Sequence, residues 1–247
     1  MDKGKQMKTK GINWFGGTLG IVVWPILFSG LSISASAQQP GLAERVAMLK
    51  ATLAASEVVL RQYEWVQTTT VSVKDDEKSR RQERCFYGAD GKITKVLLTQ
   101  PAPEEKKRGL RGRIVERKKT ELEDYMKEAV ALVKQYVPPN HKQLQAVRDA
   151  GNVLLQPIEP GKRARLIFNN YLKNRDSLAI DIDLVENRPL AANIKTFLDS
   201  DKEPVTLAVK FGTVQGATVY ASDVTLEAKG KSLKVVVENS GYRKMGP

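Results

Sequence analysis

RARLIFNNYLKNRDSLAIDIDLVENRPLAANIKTFL, residues 163–198, alternates and reverses at the spacing of antiparallel hairpins. Ala164, Leu166 and Phe168 project to one side, with Arg163, Arg165 and Ile167 on the other. Lys173-Asn174-Arg175-Asp176 turns the chain, and Leu178, Ile180, Ile182 and Leu184 then alternate with Asp181 and Asp183. Side chains of a strand point to opposite faces in turn, so each run has one apolar face to bury. Breaks of two to four residues are too short for a parallel crossover, so neighbouring strands are antiparallel. The same reading continues toward the C-terminus: strands are expected over Leu190–Leu198, Val205–Phe211, Thr218–Leu226 and Leu233–Val237. Glu186-Asn187-Arg188-Pro189, residues 199–204 and Lys229-Gly230 separate them.

Toward the N-terminus the period changes. Leu122, Tyr125, Met126, Ala129, Leu132, Val133 and Tyr136 recur at helical spacing, and Val137-Pro138-Pro139-Asn140 ends that helix and caps a short one carrying Leu144 and Val147. Residues 114–151 therefore read as a helical hairpin set inside a β protein. Before it, Tyr63, Trp65, Gln67, Thr69, Val71 and Val73 alternate as a strand, Lys74 to Ser79 reads as a charged turn, and strands follow over Arg84–Tyr87 and Ile93–Thr99. Leu42, Val46, Leu49, Leu53 and Leu60 form the stripe of a first helix. About ten strands and three helices, each with one apolar side, imply an α+β fold in which a curved antiparallel sheet, a half-barrel, wraps around the helices.

The first residues read differently. Lys3, Lys5, Lys8 and Lys10 precede an apolar run over Ile12–Ile33 that ends in Ala35-Ser36-Ala37. A positive start, an apolar middle and small residues at the end make a secretory signal, with cleavage expected after Ala37. The run also approaches the roughly 20 residues of a spanning helix, so an uncleaved anchor is the competing reading. Export places the chain in the periplasm. Residues 38–247 form one expected domain and retain 36 basic and 27 acidic side chains of the 40 and 28 in the whole sequence, a net charge of about +9. Cys85 is the one cysteine, so no intramolecular disulfide forms and packing must supply the stability.

The signal ending Ala35-Ser36-Ala37, the helix after it, the Tyr63-Glu64-Trp65 entry into the strands, the mid-chain helices and the closing run of strands together resemble the LolA/LolB fold of periplasmic lipoprotein carriers, shared by the regulator RseB. The C-terminal string Asn239-Ser240-Gly241-Tyr242-Arg243-Lys244 is closer to an uncharacterised family of exported proteins. The resemblance implies a LolA-like half-barrel whose concave face holds acyl chains beneath helices. With no catalytic constellation in the sequence, no cofactor and no enzyme activity are expected.

Each candidate site has two readings. Tyr63, Trp65, Phe86, Tyr125, Met126, Leu132 and Tyr136 are broad, adaptable side chains that suit an apolar cavity for a lipid or acyl ligand, and equally an ordinary core. Lys106, Lys107, Arg108, Arg111, Arg113, Arg117, Lys118 and Lys119 form a dense cationic cluster. In the envelope it would meet anionic membrane surfaces or acidic protein partners rather than nucleic acid; the other reading is a solvated loop. Asp181 and Asp183 share a strand face, as a paired acid or metal site would, or simply mark the solvent side. His141, the single histidine, is the one imidazole base available, and neither it nor Cys85 has a partner motif. No Gly-rich phosphate loop or metal-ligand spacing occurs, so no metal is expected. The reading that results is a soluble, monomeric periplasmic binding protein for an apolar or amphiphilic ligand. Its alternative is an envelope interaction module that meets a membrane-associated protein through the basic loop or convex sheet.

Overall fold

The computed structural model describes residues 41–99 and 110–246. The expected signal over residues 1–37 lies outside them. So do Lys106, Lys107 and Arg108. Among the described residues ten strands form a single antiparallel sheet with three α-helices. In chain order these are α1 (Leu42–Leu60), β1 (Tyr63–Val73), β2 (Asp76–Tyr87), β3 (Ile93–Leu97), α2 (Leu110–Val133) and α3 (His141–Asp149). Then come β4 (Val153–Glu159), β5 (Arg163–Asn169), β6 (Ser177–Asp183), β7 (Arg188–Phe197), β8 (Pro204–Val214), β9 (Thr218–Ala228) and β10 (Leu233–Lys244).

The spatial order is β3-β2-β1-β10-β9-β8-β7-β6-β5-β4. Every contact in it joins chain neighbours except β1 with β10. The sheet is open, with β3 and β4 as its two edges. The chain leaves at one edge, crosses by α2 and α3, and re-enters at the other. Nine inter-strand gaps of about 4.8 Å separate the edges by roughly 43 Å along the sheet. The 24 residues of α2 span about 36 Å. The excursion is long enough to lie across one face of a curved sheet, and that is where it packs.

One face is continuous. The register joins Phe168, Leu178, Ile194, Leu207, Leu226, Val235 and Val71 across seven neighbouring strands. On this side they meet Leu49 of α1, Tyr125, Met126, Ala129, Leu132 and Val133 of α2, and Leu144 and Val147 of α3 in one core. Leu166, Leu178 and Tyr171 are fully buried there. Each fully buried aliphatic side chain contributes about 1.5–3 kcal/mol relative to exposure. Gly230 is required by this packing, since a Cβ on it would fall 2.6 Å from the Tyr125 hydroxyl.

Three boundaries differ most from the sequence reading. The charged turn contracts to Lys74 and Asp75, with φ of 53° and 65°, and β2 starts at Asp76. Its exposed first half has no apolar face, so alternation could not reveal it. β10 continues past Val237 to Lys244, with Gly241 (φ 65°) at a register irregularity against β1. The helical excursion begins earlier, at Leu110.

Candidate functional site

The helices pack mainly on β5, β7, β8 and β9. The helix-bearing face continues beyond them into a wing made of β10, β1, β2 and β3. There the inward row of β1 is Trp65, Gln67, Thr69, Val71, registered against Cys85, Glu83, Arg81, Ser79 of β2. Lys95 of β3 stands beside Cys85, and Asn239 of β10 beside Gln67. The wing is thus aromatic at one end, polar in the middle and apolar toward Val71 and Val73, which pack against the core.

Its polar groups form a connected chain. The Asn239 side-chain carbonyl accepts from Trp65 Nε1 (3.2 Å) and Gln67 Nε2 (2.9 Å), while its amide donates to the Ala221 carbonyl at 2.9 Å. Gln67 Oε1 accepts from Lys95 Nζ. Lys95 lies 3.7 Å from Glu83, whose other oxygen is 3.8 Å from Arg81. Two cations and one carboxylate thus sit on an inward face where Glu83 is buried and Lys95 is 22% exposed. Charges in such positions need partners because desolvation is costly.

The aromatic end is a cluster. Trp65 stacks on Tyr242 with centroids 5.4 Å apart and meets Tyr87 at 5.8 Å, and Tyr242 meets Tyr220 at 4.3 Å. Burial pushes the Tyr242 and Tyr87 phenols up; Tyr220, Tyr87 and Cys85 add to it at Tyr242, and Glu57 adds to it at Tyr87 against the pull of Arg61. Burial likewise raises the Cys85 thiol from an ordinary 9.0 to about 11, against the pull of Lys95. That thiol stays protonated at neutral pH and is no nucleophile.

Helix α1 lies at the aromatic end. Ser56 Oγ accepts the Val219 amide at 2.9 Å, and Thr52 Oγ1 donates to the Asn187 carbonyl at 3.2 Å. A second polar hub fastens the end of α2. The Tyr136 hydroxyl is 2.6 Å from Asp176 Oδ2 and 2.8 Å from Thr196 Oγ1, and Asp176 Oδ2 also accepts the Leu172 and Lys173 amides.

The aromatic and methionine candidates divide. Tyr125, Met126, Leu132 and Tyr136 join the core beneath α2. Trp65 belongs to the wing, and Tyr63 is buried near the same strand end. Phe86 takes no part in either: it follows Cys85 by one residue and so faces the opposite side, under the Arg84 guanidinium at 5.6 Å. Alternation alone would have put it there. Of the cationic cluster, Arg113, Arg117 and Lys118 are exposed on the first half of α2, Lys119 is half-buried, and the Arg111 side chain is outside the described residues. Arg117 pairs with Glu121 at 3.1 Å.

Asp181 and Asp183 are not an acid pair. Asp181 is held by Arg165 through two bonds of 2.5 and 2.8 Å. Asp183 accepts the Glu186 and Val185 amides, which, with Arg188 and Arg163 nearby, hold its carboxyl below the usual range. His141 opens α3, where the neighbouring Asn140 caps the helix by accepting from Lys142 and Gln143. Among the described residues no cluster of His, Cys, Asp and Glu has metal-binding geometry, and no helix is long and apolar enough to cross a membrane.

Sequence reasoning missed Lys95, Glu83, Asn239 and Tyr242. Arg81-Gln82-Glu83-Arg84-Cys85 reads as a surface run, and only its pairing with β1 turns Arg81 and Glu83 inward.

No protein-family model and no curated protein matches the chain. It is similar to several solved structures. A LolA superfamily protein from Nitrosomonas europaea is 10% identical, with 81% of this chain and 94% of that one covered and a TM-score of 0.36. A DUF1329 family protein from Desulfovibrio piger is 11% identical, with coverages of 79% and 92% and a TM-score of 0.36. A domain described as an outer membrane lipoprotein-sorting protein, from Vibrio parahaemolyticus, is 11% identical, with coverages of 78% and 91% and a TM-score of 0.34. These likenesses concern the fold, and nothing about ligand or partner rests on them.

Proposed function

We propose that the chain is a binding protein of the bacterial envelope that holds an apolar or amphiphilic ligand, a lipid or a lipoprotein acyl chain, between sheet and helices. It does so without covalent chemistry. The observation that supports this most directly is the reach of the helix-bearing face: it extends past the helices into a wing where an aromatic cluster and a half-buried polar chain lie beside valines continuous with the core. A protein that needed only a core would gain nothing from placing Arg81, Glu83 and Lys95 on that face, where their desolvation is unfavourable. The lysine-led signal sequence supports a periplasmic location.

Native mass spectrometry of the chain purified from its own envelope tests the reading. A co-purified lipid or acyl species is expected. Mass spectra of the bare chain, together with no uptake of added lipids, would exclude it.

A second reading draws on α2. Its first half carries exposed Arg113, Arg117 and Lys118 beside Ile114, which is 57% exposed, ahead of the turns that pack on the core. That surface suits an anionic membrane or an acidic, membrane-associated partner.

A further inference from the structure

The two edges of the sheet are not alike. β4 carries Leu154, Leu155 and Ile158 at 55%, 61% and 49% exposure, apolar on both of its faces. Its pairing with β5 fixes which of its main-chain groups are unused. The Asn152 carbonyl accepts the Asn169 amide at 2.9 Å, so in this antiparallel ladder Leu154 and Gln156, two and four residues on, also bond toward β5. Val153, Leu155 and Pro157 therefore point their main-chain groups away from β5. Pro157 has no N–H, and it stands where β5 needs none. Among the described residues no strand lies beyond β4. The amides of Val153 and Leu155 and the carbonyls of Val153, Leu155 and Pro157 thus form a short open ladder. It ends after Pro157, where the register against β5 shifts.

β3, the other edge, is protected. The Gly88 amide donates to the Lys92 carbonyl and the Leu98 amide to the Gln82 carbonyl, so Ile93, Lys95 and Leu97 are its outward residues, with a charge at the centre. A lysine in that place discourages an added strand. β4 has no charge from Val153 to Ile158, and Glu159 is matched by Lys162 at 2.8 Å and Arg163 at 3.9 Å. The segment is neutral although the whole chain is strongly basic. A neutral edge can meet a copy of itself without repulsion.

The open ladder is its own complement. A two-fold axis through Leu155 sets it opposite the same residue of a second copy, where the two exchange a pair of hydrogen bonds. The Val153 amide of each copy then meets the Pro157 carbonyl of the other. Both outward amides are used, and the bonds absent from these rungs are the ones Pro157 cannot donate. On the helix-bearing face Leu155 packs on its counterpart and Val153 on Pro157; on the convex face Leu154 meets Gln156. We propose that two copies of this chain pair antiparallel through β4 and join their ten-stranded sheets into one. With β3 protected, assembly closes at two copies. The wing lies at the opposite edge, so the pairing leaves it uncovered in both.

Sedimentation equilibrium of residues 38–247, from low micromolar to submillimolar concentration, tests this. The average mass is expected to rise with concentration to that of two chains and stop there. Leu155→Lys sets like charges opposite each other at an exposed position and is expected to weaken the dimer by about tenfold or more, with the melting temperature of the dilute monomer unchanged. Val96→Lys, on β3, is expected to leave the dimer as it is. Leu155→Cys is expected to link two chains by a disulfide under mild oxidation, because facing Cα atoms of a hydrogen-bonded pair stand about 5.5 Å apart, within disulfide reach. Cys85 is fully buried and does not compete. A chain that stays monomeric at every concentration, a dimer indifferent to Leu155→Lys, or masses that climb past two chains would each overturn the pairing. Disulfides from the Leu155→Cys chain to other envelope proteins, and none to itself, would overturn it in favour of a strand donated by a different protein.

Discussion

Tyr136 and Asp176 show how much one pair of side chains holds. The single phenolic hydrogen goes to the carboxylate at 2.6 Å, so the Thr196 hydroxyl donates to Tyr136 in turn. All three groups are buried, and an unpaired buried polar group costs about 1–3 kcal/mol. Tyr136→Phe is therefore expected to lower unfolding free energy by about that amount in urea denaturation at pH 7; a loss under 0.5 kcal/mol would show that the hub carries no weight. The apolar part of Tyr136 was legible in the sequence, as one position of a helical stripe. Asp176 was legible only as a turn residue, because its burial depends on a partner 40 positions away. Burial also sets an alkaline limit. Cys85 is held at about 11 against 9.0 in an unfolded chain, and the Tyr87, Tyr125, Tyr136, Tyr171 and Tyr242 phenols are all raised, each chiefly by burial. A folded state that keeps protons the unfolded state releases loses stability as pH rises. The contribution is complete below pH 9 and lost as pH climbs through 11. Melting temperatures between pH 7 and 11 should fall across that window, and Cys85→Ala with Tyr242→Phe should flatten the fall.

Elements were read best where one face is buried. The stripe Tyr125, Met126, Ala129, Leu132, Val133 predicted α2, and alternation predicted β5 and β6, because each must present a single apolar side to the core. The first half of β2, Asp76 to Arg80, escaped notice because it is exposed along its length, so no hydrophobic pattern exists to read. The end of β10 escaped for a related reason: Asn239, Ser240 and Gly241 show no hydrophobic alternation, and the register against β1 shifts just after Ser240. At the other extreme, α2 starts before its apolar stripe does. Its exposed turns give the α2 surface a prediction of its own. At up to about 1 kcal/mol per cation near an anionic surface, changing Arg113, Arg117 and Lys118 to Gln should weaken binding to phosphatidylglycerol vesicles by as much as about 100-fold at low salt. Raising the salt should weaken the unaltered chain in the same direction. Vesicle sedimentation that is indifferent to both changes would remove α2 as a membrane surface.

At the scale of the molecule, the strand neighbours followed from short turns, but the pairing of β1 with β10 did not. It joins residues some 170 positions apart in sequence and depends on the sheet curving back along its whole meander. That one pairing creates the wing and brings Trp65 and Gln67 to Asn239. The candidate site was therefore legible only in part: Trp65 stood out as an aromatic strand residue, while the polar chain beside it exists only once β10 has docked. The central claim is that this wing and the adjoining core face receive a ligand. Hydrogen–deuterium exchange with and without dodecyl phosphate tests it most directly. Added protection over Tyr63–Val73 and Leu233–Val237, with α3 unchanged, is the predicted result; unaltered exchange across both strands while the amphiphile is present in excess would contradict it.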